Sequence, residues 1–158
     1  MSSAIDNLWP VDIAAVTEEM PPITILKQQS SLLGQMTRNI VEAEVETTST
    51  DIEGFLRHTL YLVAPALNFY RYPLIDVEHE VTSMYPANVK MSRSDTKQKK
   101  ILARDEKEFK DILKRVFADE ETKKVIGALL AQSGGKKSIR IGNPKDSPAR
   151  IGRPNKIG

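Results

Sequence analysis

The feature that most constrains this chain is a change of hydrophobic period at Asn39. Before it, from Ile25, apolar residues fall at Leu26, Leu32, Leu33 and Met36, along one stripe of an α-helix. Pro21-Pro22 opens that helix, since proline belongs in a first turn, and Gly34 weakens it slightly. After it, Asn39, Val41, Ala43, Val45 and Thr47 alternate with Ile40, Glu42, Glu44 and Glu46, the two-residue period of a half-buried strand. One segment cannot satisfy both periods, so helix gives way to sheet here.

The alternation then repeats. Thr48 to Gly54 reads as a polar turn, and a second strand sets Leu56, His58, Leu60 and Leu62 against Phe55, Arg57, Thr59 and Tyr61, ending at Pro65. A bend from Asn68 to Pro73 leads to a third strand with Ile75, Val77, His79 and Val81 on one face. A short fourth spans Ala87 to Met91. Ser92 to Lys100 reads as a loop. Asp105 and Glu108 have the spacing of a helix cap, followed by Phe109, Ile112, Leu113, Val116 and Phe117 at helical spacing. Asp119 caps a last helix whose Val125, Ile126, Leu129 and Leu130 face inward, and Ser133-Gly134-Gly135 ends it. The order predicts an α+β fold: an antiparallel sheet of about four strands with helices on one face. Ahead of it, Trp9-Pro10 and Asp12 predict an arm leading into a short helix.

Charge divides the chain at Ser133. Residues 134–158 hold Lys136, Lys137, Arg140, Lys145, Arg150, Arg153 and Lys156 against Asp146 alone, a net of +6. The other 133 residues hold 16 Lys and Arg against 20 Asp and Glu, a net of −4. Five glycines, three prolines and no aromatic predict a disordered basic tail at 134–158, which cannot bury enough apolar surface to order itself. Residues 1–133 read as one domain, with an N-terminal arm at 1–22. No secretory leader pattern and no membrane-length apolar run is present, so a cytoplasmic, non-membrane protein is expected. Without cysteine there is no disulfide and no thiolate chemistry.

Chemistry has few candidates. If the bend centres on Asn68 and Phe69, His58 faces His79 on the core side. Pairing Val45 with Leu56 sets Ala43 beside His58. Two imidazoles at that distance could share a divalent metal or supply a general base for a small hydrolase. The plainer alternative is a neutral, hydrogen-bonded pair, as no third ligand stands at a recognisable spacing. No cofactor is predicted. On the opposite face the same registers set Arg57 between Glu44 and Glu80, Thr59 between Glu42 and Glu78, and Tyr61 beside Asp76. Glu108-Phe109-Lys110 has a nuclease-like spacing but falls at a helix start, which does not align the two side chains as a strand would.

Phe69, Tyr70, Arg71 and Tyr72 gather three aromatics and a cation at the bend and make it the candidate binding surface. The tail cations are candidate phosphate contacts, blind to base sequence, with a salt slope bounded at about −6. Lacking a phosphate-binding glycine loop or nucleophile elbow, the chain reads as a non-enzymatic binding or regulatory protein. Its body would recognise a protein partner and its tail a nucleic acid or an acidic surface. Self-association through the last two helices is a further expectation. The alternatives are the histidine-based hydrolase and a sequence-nonspecific nucleic-acid binder.

Overall fold

Two consecutive prolines fix where the folded body begins. In the computed structural model, which describes residues 4–15, 18–92 and 100–134, α1 (Pro22–Met36) carries Pro22 in its first turn. There the missing N–H would have had no intrahelical partner. Ile25 and Leu26 from its inner side are fully buried. The helix ends where Arg38 and Asn39 adopt left-handed backbone, φ 55° and 64°. The Thr37 hydroxyl secures that exit, donating to the Val41 carbonyl at 2.6 Å and accepting from its N–H at 3.2 Å.

Five antiparallel strands follow in chain order: β1 (Glu42–Ser49), β2 (Phe55–Ala64), β3 (Tyr70–Glu80), β4 (Ala87–Met91) and β5 (Ile101–Ala103). Then come α2 (Glu106–Phe117) and α3 (Glu120–Gln132). Leu60 and Leu62 of β2, Ile75 and Val77 of β3 and Val89 of β4 form the inner sheet face. Phe109, Ile112 and Leu113 of α2 and Leu129 of α3 pack in the same core as α1. The fold is α+β, with helices on one sheet face. Both late helices start on aspartate: Asp105 accepts from the Glu108 N–H at 2.9 Å and Asp119 from the Glu121 N–H at 3.0 Å.

The β2–β3 hairpin shows how the inner face is kept apolar. Its connection is five residues long: Pro65–Leu67 form a single 3-10 turn, and Asn68 and Phe69 turn back on left-handed backbone. Next to the turn, Ala64 pairs with Tyr70 and Leu62 with Tyr72. Continued unchanged, that register would set Leu60 opposite Leu74 and His58 opposite Asp76, mixing core with solvent. A bulge prevents it. Leu60 pairs with Ile75 and Tyr61 with Pro73, so Leu74 is the extra residue, and both Leu74 and Ile75 are buried. Beyond the bulge His58 pairs with Val77, and parity between the two apolar sides is restored.

Several expectations are corrected. A two-residue turn at Asn68-Phe69 would have set His58 opposite His79; the longer connection and the bulge displace the register by two. In the first hairpin Val45 pairs with Leu60, not Leu56, because β1 runs on through Thr47, Thr48 and Ser49. His58 therefore lies opposite Thr47 rather than Ala43. Arg57 lies between Thr48 and Glu78, Thr59 between Glu46 and Asp76, and Tyr61 between Glu44 and Pro73. Tyr70 to Pro73, expected in a bend, begin β3. A fifth strand appears at Ile101–Ala103, too short for alternation to announce it. Among its described residues the arm has only turns, Ile13 N–H to Pro10 and Ala15 N–H to Asp12, and no helix. Ile5, Leu8, Trp9, Val11 and Ile13 are exposed, so no burial supports one there.

The root of the arm is tied to the far end of the domain. The Met20 N–H donates to Glu106 at 2.8 Å and the Tyr85 hydroxyl donates to the Met20 carbonyl at 2.8 Å. The Glu106 N–H completes the clasp at the Glu19 carboxylate, 3.2 Å away. Among the described residues no helix is long and apolar enough to cross a membrane. The tail beyond Gly134, with all seven of its cations, and residues 93–99 of the expected loop lie outside the described residues.

Candidate functional site

The histidines form a chain of hydrogen bonds through the sheet. His58 Nδ1 is 2.8 Å from Thr47 Oγ1, and its Nε2 is 2.9 Å from His79 Nε2. His79 Nδ1 lies 2.7 Å from the Glu80 carbonyl and 2.9 Å from that of Ser83. Both rings are buried. Carbonyls only accept, so His79 carries its proton on Nδ1 and offers a lone pair at Nε2. His58 must then donate from Nε2 and accept at Nδ1, from the Thr47 hydroxyl. Burial first, then the neighbouring His79 and Lys27 of α1, lower the His58 pKa to about 4. In this arrangement every imidazole nitrogen is already engaged, so neither ring has a lone pair free for a substrate proton. Among the described residues no group of three or more His, Asp or Glu is placed to hold a metal ion.

The outer sheet face is paired in the same way. Arg57 Nε is 2.7 Å from Glu78, Lys100 Nζ is 3.5 Å from the same carboxylate, and the Thr59 hydroxyl donates to Asp76 at 2.7 Å. Burial alone would raise the Glu78 carboxyl, but the Arg57 hydrogen bond and the charges of Lys100 and Arg57 outweigh it and hold it below its usual range.

The aromatic bend is divided. Tyr72 turns into the core. Arg71 lies over the Tyr61 ring, 3.8 Å from its centroid, and 3.5 Å from Glu44, which fixes it along the sheet. Phe69, 68% exposed, and Tyr70, 45% exposed, project from the tip. Phe69 does so with φ 55°, a conformation a bulky residue rarely adopts.

A site that the sequence reading missed lies on the helical side. α1 and α3 do not close on each other, and between them the sheet floors an apolar groove of about 390 Å³. Leu33 and Met36 of α1 and Ile126 and Leu130 of α3 form its walls, with Leu62 and Leu74 beneath. Among the described residues no charged side chain lines it. At its rim Leu32 is 46% and Met36 81% exposed, although both belong to the stripe expected to be buried. Thr122, 1% exposed, borders the groove, and its hydroxyl has no hydrogen-bond partner among the described residues. Gln29 and Phe117 join the groove to a second cleft of about 370 Å³ between α1 and α2, lined also by Lys110 and Lys114. Helical periodicity identifies an apolar stripe but not whether two such stripes touch, so the groove had no sequence signal of its own. No family model, curated protein or solved structure matches the chain.

Proposed function

We propose that this is a non-enzymatic binding protein whose body takes an apolar stretch of a polypeptide partner in the groove between α1 and α3. The groove carries the reading. It falls within the size range of ligand sites, and its lining would leave a charged occupant unpaired. The exposed Leu32 and Met36 extend the apolar surface past the cavity, so the fitting occupant is a chain rather than a compact small molecule. A polypeptide also brings backbone N–H and C=O groups, either of which suits the unpartnered Thr122 hydroxyl.

The exposed Phe69 and Tyr70, next in the chain to the Arg71 that meets Glu44 of β1, offer a second contact suited to an apolar side chain of the partner. The +6 segment at 134–158 adds a sequence-blind electrostatic contact to nucleic acid or to an acidic surface. Truncation after Ser133 would remove that salt-dependent binding and leave the groove intact.

The test titrates the protein against a fluorescent peptide with an uncharged run of leucine and alanine. Met36→Glu, placed at an exposed position, puts a carboxylate on the rim and should weaken binding about tenfold or more without loss of fold. Equal binding by the wild-type and Met36→Glu proteins would remove the groove from the function.

A further inference from the structure

The chain carries a candidate occupant for its own kind of groove. Ile5, Leu8, Trp9, Val11 and Ile13 lie within nine residues, and all are exposed, Trp9 to 70%. Isolated exposed apolar residues are ordinary, but five in one short arm form a surface that needs a counterpart. The counterpart in this fold is the α1–α3 groove, whose described lining is apolar and uncharged. Charge agrees as well. Asp6 and Asp12 flank the Leu8–Val11 stretch, and the cleft that continues the groove presents Lys114, which has no ion pair among the described residues.

We infer that the N-terminal arm of one molecule fills the α1–α3 groove of a second copy, giving an arm-exchanged dimer. This rests on the reading of the groove as a polypeptide site. Within one molecule the arm stands off the body, although its groove is the nearest one and tethering favours intramolecular contact. The clasp of Glu19 and Met20 to the start of α2 fixes the root of the arm at the helix N-termini. The groove lies toward the other end of α1, from Gln29 to Thr37. Filling its own groove would require the arm to double back along α1 after that fixed root. A neighbouring molecule imposes no such reversal. Exchange is reciprocal, each arm filling the other groove, which closes the assembly at two copies. Any other partner of the groove then competes with the arm, so dimer and complex are alternative states.

Trp9 is the only tryptophan and reports on the arm directly. Sedimentation velocity and Trp9 emission are measured over a concentration series on the full chain and on Leu8→Asp and Met36→Glu proteins. The wild type should dimerise with a blue shift of Trp9 emission, and each variant alone should stay monomeric with red-shifted emission. A mixture of the two variants should recover a heterodimer, because one intact arm then meets one intact groove. A wild type that remains monomeric at all concentrations overturns the inference, as does a dimer indifferent to both substitutions. A monomer with buried Trp9 that Met36→Glu exposes also overturns it, since the arm then folds onto its own body. Each of these outcomes is separable from the groove reading, which stands or falls on whether the leucine–alanine peptide binds in a Met36-dependent way.

Discussion

His58 and His79 share a hydrogen bond along a diagonal of the sheet: their Nε2 atoms are 2.9 Å apart, although His58 stands opposite Val77 and His79 opposite Leu56. The ring centroids lie 5.0 Å apart. The contact joins β2 to β3 where an aliphatic pair would only pack. Its polarity is set from outside, by the two carbonyls that hold His79 Nδ1.

The buried pair should make stability fall in mild acid. In the unfolded chain an imidazole titrates near 6.5, while His58 in the fold does so at about 4. Between those values the unfolded chain holds a proton that the folded chain refuses. This contribution is therefore complete above about 6.5, declines as pH falls, and levels off below about 4. The gap corresponds to about 3 kcal/mol, read from urea midpoints across that range. Nitrogen-15 NMR should find the proton on Nε2 of His58 and on Nδ1 of His79. A His58 midpoint near 6.5 would contradict the assignment.

The bulge makes a deletion no worse than a truncation. Leu74→Ala removes buried methyl groups and should cost roughly 2–5 kcal/mol with the fold retained. Deleting Leu74 removes the extra residue itself, so Tyr61 still meets Pro73, Leu60 still meets Ile75 and His58 still meets Val77. That protein should keep a cooperative unfolding transition by circular dichroism, at a cost similar to that of the truncation. Loss of the transition would show that the bulge itself, and not the register alone, holds the hairpin.

Phe69→Gly should stabilise the body. A left-handed bulky residue costs on the order of 1–2 kcal/mol, and glycine's greater loss of chain entropy offsets part of the gain. With Phe69 largely exposed, little burial is given up, so a net gain of up to about 1 kcal/mol should appear in thermal unfolding. If Phe69 also meets the partner, the same variant should bind more weakly while melting higher.

The start of α2 should tolerate acid but not loss of its cap. Asp105→Ala removes the bond to the Glu108 N–H and should cost about 1 kcal/mol in chemical denaturation. Glu108, hydrogen-bonded by the Arg104 side chain and backbone, has a carboxyl pKa of about 2, so carboxyl NMR should find it ionised well below pH 4.

What could be read beforehand follows from what periodicity measures. Alternation identified β1 to β4 and most of their buried sides, because face is a question of odd or even position, although Val81, expected on the inner side, lies past the end of β3 and is exposed. It could not separate registers differing by two or four, which leave every face unchanged, so the partners of His58 and Arg57 were misassigned. The cap at Asp105 was visible because capping is local in sequence. The groove was not, because Leu32 and Met36 obey the same spacing whether α3 covers them or stands away. Left-handed backbone at Phe69 carried no residue-type signal either, since glycine or asparagine would have been the usual marker.

The clasp at the root of the arm has a consequence for how the protein is made. The Met20 N–H waits for a carboxylate 86 residues further along, so the bond cannot form until the ribosome has released Glu106. α1 and the first hairpins can associate earlier, and Tyr85 can reach the Met20 carbonyl before Glu106 emerges, but until then the root of the arm is only half held. Fixing that root to the first turn of α2 delays it until α2 has emerged, so a nascent chain still short of α2 lacks the bond that orients the arm carrying Trp9.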